Sequence, residues 1–223
     1  MTLTRSLLAT AVCLTAAWSS QDDPVEFPEL KAPDKYTLVG ERSFLSDYPA
    51  RSEDGRLHVV VEIPAGTTQK WEVDKKDGAL RWEFKKGKPR VVSYLGYPGN
   101  YGMVPRTLLP EELGGDGDPL DVLVLGPAMP RGSVVRVRVL GVLQMLDGGE
   151  KDDKILAVVE NSALAQAGSI QELQEQFPGV LTIVETWFEN YKGPGEIECS
   201  GFLPAADAER VIDEAIRAYE TSR

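Results

Sequence analysis

Between residues 58 and 159 the chain falls into apolar runs, most of them too short for a helix and punctuated by clusters of Gly, Pro and Asp; beyond Val159 the spacing turns helical. The first run, 58–63, holds Val59, Val60 and Val61, and others follow at 70–73, 80–84, 122–125, 133–145 and 155–159. β-Branched side chains lose rotamer freedom in a helix and pack well on a pleated surface, so these runs read as strands. Strands separated by frequent turns predict a small, strongly curved, closed OB-like antiparallel β-barrel. In the C-terminal part, Ser169-Ile170-Gln171-Glu172 has the form of a capping box opening a short helix that Pro178 stops. A second helix is expected over 179–191, with Leu181, Val184, Phe188 and Tyr191 on one face. A third, over 205–219, repeats that spacing with Val211, Ile212, Ala215, Ile216 and Tyr219. The class is therefore α+β, a barrel with helices packed outside it, and the helical stripes are core-facing.

The N-terminal segment has a different composition. Arg5 precedes an apolar run ending at Ala17-Trp18-Ser19, with small residues at the positions that direct cleavage, so residues 1–19 read as a signal peptide. The run is shorter than the roughly 20 apolar residues a membrane anchor needs. The expectation is an exported chain, periplasmic or secreted, with no stable membrane association after cleavage. Residues 20–45, rich in Pro, Asp and Glu, read as an extended arm, leaving 46–223 as the catalytic domain. Cleavage removes Cys13 and leaves Cys199 alone, so no intramolecular disulfide forms and an ordinary core carries the stability. The net charge of −11 lacks the general attraction to phosphate backbones on which non-specific nucleic-acid binders depend.

Where the acids lie is more informative than their number. Asp116-Gly117-Asp118-Pro119-Leu120-Asp121 crowds three carboxylates just before the strand at 122–125. Such crowding is tolerated where solvent or a bound cation neutralises it, and oxygen-only ligands favour magnesium, manganese or calcium over zinc. An EF-hand is excluded, because counting from Asp116 puts Asp121 at the glycine position and Pro127 at the position of the bidentate Glu. A solvated turn without a ligand remains the alternative for this segment by itself. A second acidic turn, Asp147 to Lys154, lies between the strands ending near Met145 and beginning at Ile155. Lys70 and Glu72 flank Trp71, Arg90 follows Lys88-Pro89, and Tyr97 and Tyr101 bracket Pro98-Gly99-Asn100, all at strand ends. Carboxylates for cations, with Lys, Arg and Tyr for phosphate oxygens, describe a phosphoryl-transfer site. His58, the sole histidine, precedes a strand and leaves no His-based zinc or triad chemistry; Cys199 has no histidine near it in sequence.

From about Leu57 to the C-terminal helix the chain resembles the soluble family I inorganic pyrophosphatases, closer to their longer, eukaryotic-type members. The resemblance rests on the Asp116–Asp121 string, Glu62-Ile63-Pro64, Lys70 with Glu72, the Lys85-Lys86-Gly87-Lys88-Pro89-Arg90 run, Tyr97 with Asn100-Tyr101-Gly102, Asp147 with Asp152 and Lys154, and Trp187 to Lys192. It implies hydrolysis of pyrophosphate on several Mg2+ ions, with Mn2+ as a possible substitute. Asp116, Asp121 and Asp152 would ligate the first metal and Asp121 would bridge to the second. Asp147 with Asp152 would hold the substrate-borne ion, and Glu62 and Glu72 would complete the acidic rim. Asp118 would be the general base, with Tyr97 at the site's edge. Lys70, Arg90, Tyr101, Tyr191 and Lys192 would bind phosphate oxygens, with Lys154 near the leaving group. A homo-oligomer is compatible with this.

One departure from the family pattern stands out. A further lysine is expected a few residues after Tyr191-Lys192, yet Lys192 is the last lysine of the chain and two acids, Glu196 and Glu198, follow it. Arg106 and Lys154 are the candidates to replace it. The rival reading from another class is an inactive OB-like barrel module that binds a divalent cation and a glycan or other ligand. Such a module needs neither Asp118 nor the ring of Lys, Arg and Tyr.

Overall fold

The computed structural model describes residues 24–109, 115 and 117–222. The expected signal peptide and Asp116 lie outside these residues. The fold is α+β and mostly sheet. In the main sheet β4 (Leu57–Ile63) pairs with β9 (Asn100–Met103), β9 with β10 (Asp121–Leu125), and β10 with β13 (Lys154–Val159). The long β11 (Val134–Asp147) pairs with β13 and, over Val134 to Val137, with β4. Gly102 is what lets β9 lie between β4 and β10, because a Cβ there would stand 1.9 Å from the Val60 carbonyl oxygen.

Both faces of this sheet are covered. On β10, Val122 and Val124 point into a cluster with Ala208, Ile212 and Ala215 of α3 (Ala205–Thr221), while Leu123 and Leu125 join Leu173, Leu181 and Val184. Those last three belong to α1 (Ile170–Gln176) and α2 (Val180–Asn190). Apolar residues at consecutive positions rather than alternate ones follow directly from burial on two sides. α1 starts at the expected cap: Ser169 Oγ accepts from the Glu172 backbone N–H at 3.1 Å, while Glu172 Oε2 accepts from the N–H of Gly168, one residue before the cap, at 2.7 Å.

Three features differ from the sequence reading. β10 and β13 run parallel, so the sheet is not wholly antiparallel; the long β11 lies between them in the chain and returns it in the same direction. The expected strand at 80–84 divides into β6 (Leu80–Trp82) and β7 (Phe84–Lys85). β6 lies in a smaller sheet with β5 (Trp71–Val73), β3 (Thr37–Gly40) and β2 (Leu30–Asp34), whereas β7 makes a hairpin with β8 (Lys88–Pro89). Residues assigned to an arm are extended but paired: β1 (Val25–Glu26) lies on β11, β2 and β3 sit in the small sheet, and Phe44 is fully buried. Two strands that the punctuation hid, β12 (Glu150–Lys151) and β14 (Ile197–Pro204), also pair with β11.

Candidate active site

The main sheet brings its charged residues together by register. Pairing Val122 with Ile155 in parallel sets Asp121 beside Lys154 at the start of both strands. Lys154 Nζ donates to Asp121 Oδ2 at 2.7 Å and to Asp152. Its side chain is only 5% exposed, so the two carboxylates are what keep the ammonium charged there. Burial alone would lower the Lys154 pKa; Asp121 and Asp152 outweigh it and raise it. Burial pushes the Asp121 carboxyl up, but Lys154, Lys70 and the hydroxyl hydrogen bond from Tyr101 bring it below the usual carboxylate range. Asp152 is raised by partial desolvation and the nearby Asp121 charge, against the pull of Lys154. Glu62, on β4, is buried and accepts from the Val73 backbone N–H at 2.7 Å. Desolvation lifts its carboxyl to about 8.

The small sheet supplies the facing wall. Lys70 Nζ lies 2.8 Å from Glu72 and 5.2 Å from the centre of the Tyr101 ring. Lys75, just after β5, ion-pairs with Asp118. Arg90 Nη1 donates to Glu83 at 2.7 Å. Between the walls lies a cleft of about 410 Å³, lined by Glu62, Lys70, Glu72, Asp118 and Asp121 of the expected set. Beyond one end of these walls an aromatic group gathers Tyr97, Trp187 and Tyr191, with Trp187 stacked on Tyr191 at 4.7 Å and Tyr97 4.4 Å from Trp187. Tyr97 and Tyr101 are 5.2 Å apart. Burial raises the Tyr191 hydroxyl, while the Lys192, Lys154 and Lys70 ammoniums pull it the other way, which ties this group to the cleft. Lys192 pairs with Asp147. Every described residue of the expected set thus belongs to one charged and aromatic network. Of the two candidates to replace a lysine after Lys192, Lys154 is held by its carboxylates and Arg106 Nε donates to the Ser46 carbonyl at 2.7 Å.

Several residues of the site had no signal in the sequence. Lys75, Lys76 and Arg81 line the cleft because the β5–β6 turn folds over it. Arg131, in a turn before β11, lies 4.4 Å from the Trp71 ring and donates from Nε to the Glu62 carbonyl at 2.8 Å. Its Nη2 lies 3.4 Å from Gln69 Oε1, and burial lowers the guanidinium to about 10. It ties the strand bearing Glu62 to β5, which bears Glu72 and follows directly on Lys70. Nothing in Met129-Pro130-Arg131-Gly132 announces that role; the hydrogen bond to Glu62 joins residues 69 positions apart.

Among the described residues no three His, Cys, Asp or Glu side chains are gathered tightly enough to hold an ion. The donor chemistry nonetheless fits a hard divalent cation, because the acids are all oxygen donors and five of the six described ones are met by positive charge: Asp121 and Asp152 by Lys154, Asp147 by Lys192, Asp118 by Lys75, Glu72 by Lys70.

Comparison with known proteins agrees with this geometry. A family model described as inorganic pyrophosphatase matches residues 59–220. A soluble inorganic pyrophosphatase of Zea mays is 40% identical over 168 residues, 73% of this chain and 72% of that one. An inorganic pyrophosphatase of Bos taurus is 37% identical over 165 residues, 66% of this chain and 56% of that one, so the match spans little more than half of the bovine protein. The crystal structure of a type I inorganic pyrophosphatase from Toxoplasma gondii superposes with a TM-score of 0.79 at 32% identity, covering 89% of this chain and all of the other. Since the match takes in the acidic turns, the lysines that answer them and the strands that set both in place, the chain belongs to the inorganic pyrophosphatase family.

Proposed function

We propose that the chain hydrolyses inorganic pyrophosphate to two orthophosphates. The observation that carries this reading is the alternation of carboxylates and cationic groups around one cleft, with Asp118 and Asp121 on one side and Lys70 and Glu72 on the other. Asp118 accepts the proton of the attacking water. Lys70, Arg90, Tyr101, Tyr191 and Lys192 bind phosphate oxygens, Lys154 stands at the leaving phosphate, and Tyr97 borders the site. Asp116, Asp121, Asp147, Asp152, Glu62 and Glu72 would hold magnesium, with manganese as a substitute. When bound, such ions lower the pKa of water and offset the charge of the phosphates. With such ions bound, Asp121, Asp152 and Asp147 would no longer need their lysines, and Lys154 and Lys192 would be available to phosphate oxygens. The barrel we infer is closed and OB-like, since β4, β9, β10, β13 and β11 pair in succession and β11 returns to β4. No expected acidic position is substituted, so nothing favours the binding-module reading.

Phosphate release from pyrophosphate should depend on added magnesium and stop with a chelator. A chain that folds, binds magnesium and releases no phosphate would overturn the proposal. Export is a second part of the reading, supported by Arg5, the short apolar run and Ala17-Trp18-Ser19. The intact mass of the native protein should place its first residue near Ser20; a chain beginning at Met1 in a cytosolic fraction contradicts it.

A further inference from the structure

The lysine run at 85–88 takes no part in the network above, and the fold presents it in an unfavourable arrangement. β7 and β8 pair Lys85 directly opposite Lys88, and like charges facing each other on a ladder are destabilising. Between them Lys86 and Gly87 have φ of 53° and 74°, the left-handed pair of a type I′ turn, where Asn, Asp or Gly is preferred to a side chain such as lysine. All three lysines are exposed. None is in an ion pair among the described residues, in contrast to Lys70, Lys75, Lys154 and Lys192. Two unfavourable local choices in one turn, both made for positive charge, call for a use of that charge.

The root of this hairpin is part of the cleft wall. Arg90 N–H donates to the Glu83 carbonyl at 2.7 Å, Lys70 N–H to the Arg90 carbonyl at 3.1 Å, and Glu83 N–H to the Lys70 carbonyl at 2.9 Å. At about 3.3 Å per residue the backbone of Lys88 to Lys86 lies about 7–13 Å from Arg90. That is comparable to the screening length of about 8–10 Å at physiological ionic strength. The chain as a whole carries −11, so an approaching polyanion is repelled by most of the surface and attracted here.

We propose that the Lys85–Lys86–Lys88 turn is a capture surface for the polyanionic phosphoanhydride, raising its rate of encounter with the cleft without touching the reacting atoms. The inference rests on the pyrophosphatase reading. Local fields of this kind raise association rates by about 10- to 1,000-fold, and a patch of three lysines belongs at the lower end.

The test is the double variant Lys85→Glu/Lys88→Glu, which keeps a like-charged pair across the ladder and leaves the left-handed Lys86 in place, so hairpin stability changes little. With free magnesium fixed, kcat/KM for magnesium pyrophosphate should fall about tenfold at low ionic strength. The difference should fade as salt shortens the screening length, and kcat should stay at the parent value. Arg210→Glu/Arg217→Glu on α3 changes net charge by the same amount and should leave kcat/KM near the parent's. Equal kcat/KM and equal salt dependence in the lysine variant would overturn the inference. So would a fall in kcat, or an equal loss in the α3 variant. Absence of hydrolysis by the unaltered chain is seen first and removes the pyrophosphatase reading together with this one.

Discussion

On the main-sheet wall of the cleft, Lys154 has 5% of its side chain exposed and answers two carboxylates; on the small-sheet wall, Lys75 is 54% exposed and answers one, Asp118, itself 44% exposed. The two pairings look alike as ammonium–carboxylate contacts, yet burial gives them different weight. Where the ammonium is shut off from water and its carboxylates are only about a third exposed, removing it leaves their charges unanswered and costs about 1–3 kcal/mol. Where water competes, an ion pair contributes about 0–1 kcal/mol. The buried wall therefore couples stability to charge balance. The exposed wall leaves Asp118 free to exchange its lysine for other chemistry at little cost to the fold.

Asp118→Asn is expected to have the largest effect and to confine it to activity. Losing a general base lowers turnover by about two to four orders of magnitude, while the denaturation midpoint should stay near the parent's. A variant that unfolds early, or one that turns over normally, breaks the contrast between the walls. Lys154→Met should do the reverse in the absence of substrate: with a chelator present, stability falls by about 1–3 kcal/mol because Asp121 and Asp152, each about a third exposed, lose the buried ammonium that both accept from. Added magnesium should recover much of that loss by replacing the missing charge, and urea melts with and without magnesium measure both. A loss below about 1 kcal/mol would show that the wall is wetter than its burial indicates. The smallest effect belongs to Lys75→Met, which should change stability by less than about 1 kcal/mol in the same melts. A larger loss would place Lys75 with the buried wall.

How much of this was legible depended on the range over which each feature is decided. The capping box at Ser169 and Glu172 was read correctly because its two hydrogen bonds join residues three and four apart. The stripes of α2 and α3 were legible for the same reason, their period being a property of the helix itself. The acidic turn before β10 and the lysine ending the second acidic turn could be singled out from local composition. That they meet depended on the parallel pairing of β10 with β13, which no local period encodes. Residues 25–40 show the converse case: their prolines and acids suggest a solvated arm, but Val25 finds Val135 and Leu38 finds Leu80.

By itself the sequence determined the short strands of the central part, the three helices and the types of charged group available to the site, since turn chemistry, rotamer entropy and periodicity act within a few residues. Only the tertiary structure decided which lysine answers which carboxylate, and that Arg131 braces two strands through Trp71 and the Glu62 carbonyl. It also decided that Lys154 is buried while Lys75 is half-exposed. The physical reason is that the strength of a charge pair depends on the water excluded around it, and that exclusion comes from sheets and helices distant in sequence closing over the same atoms.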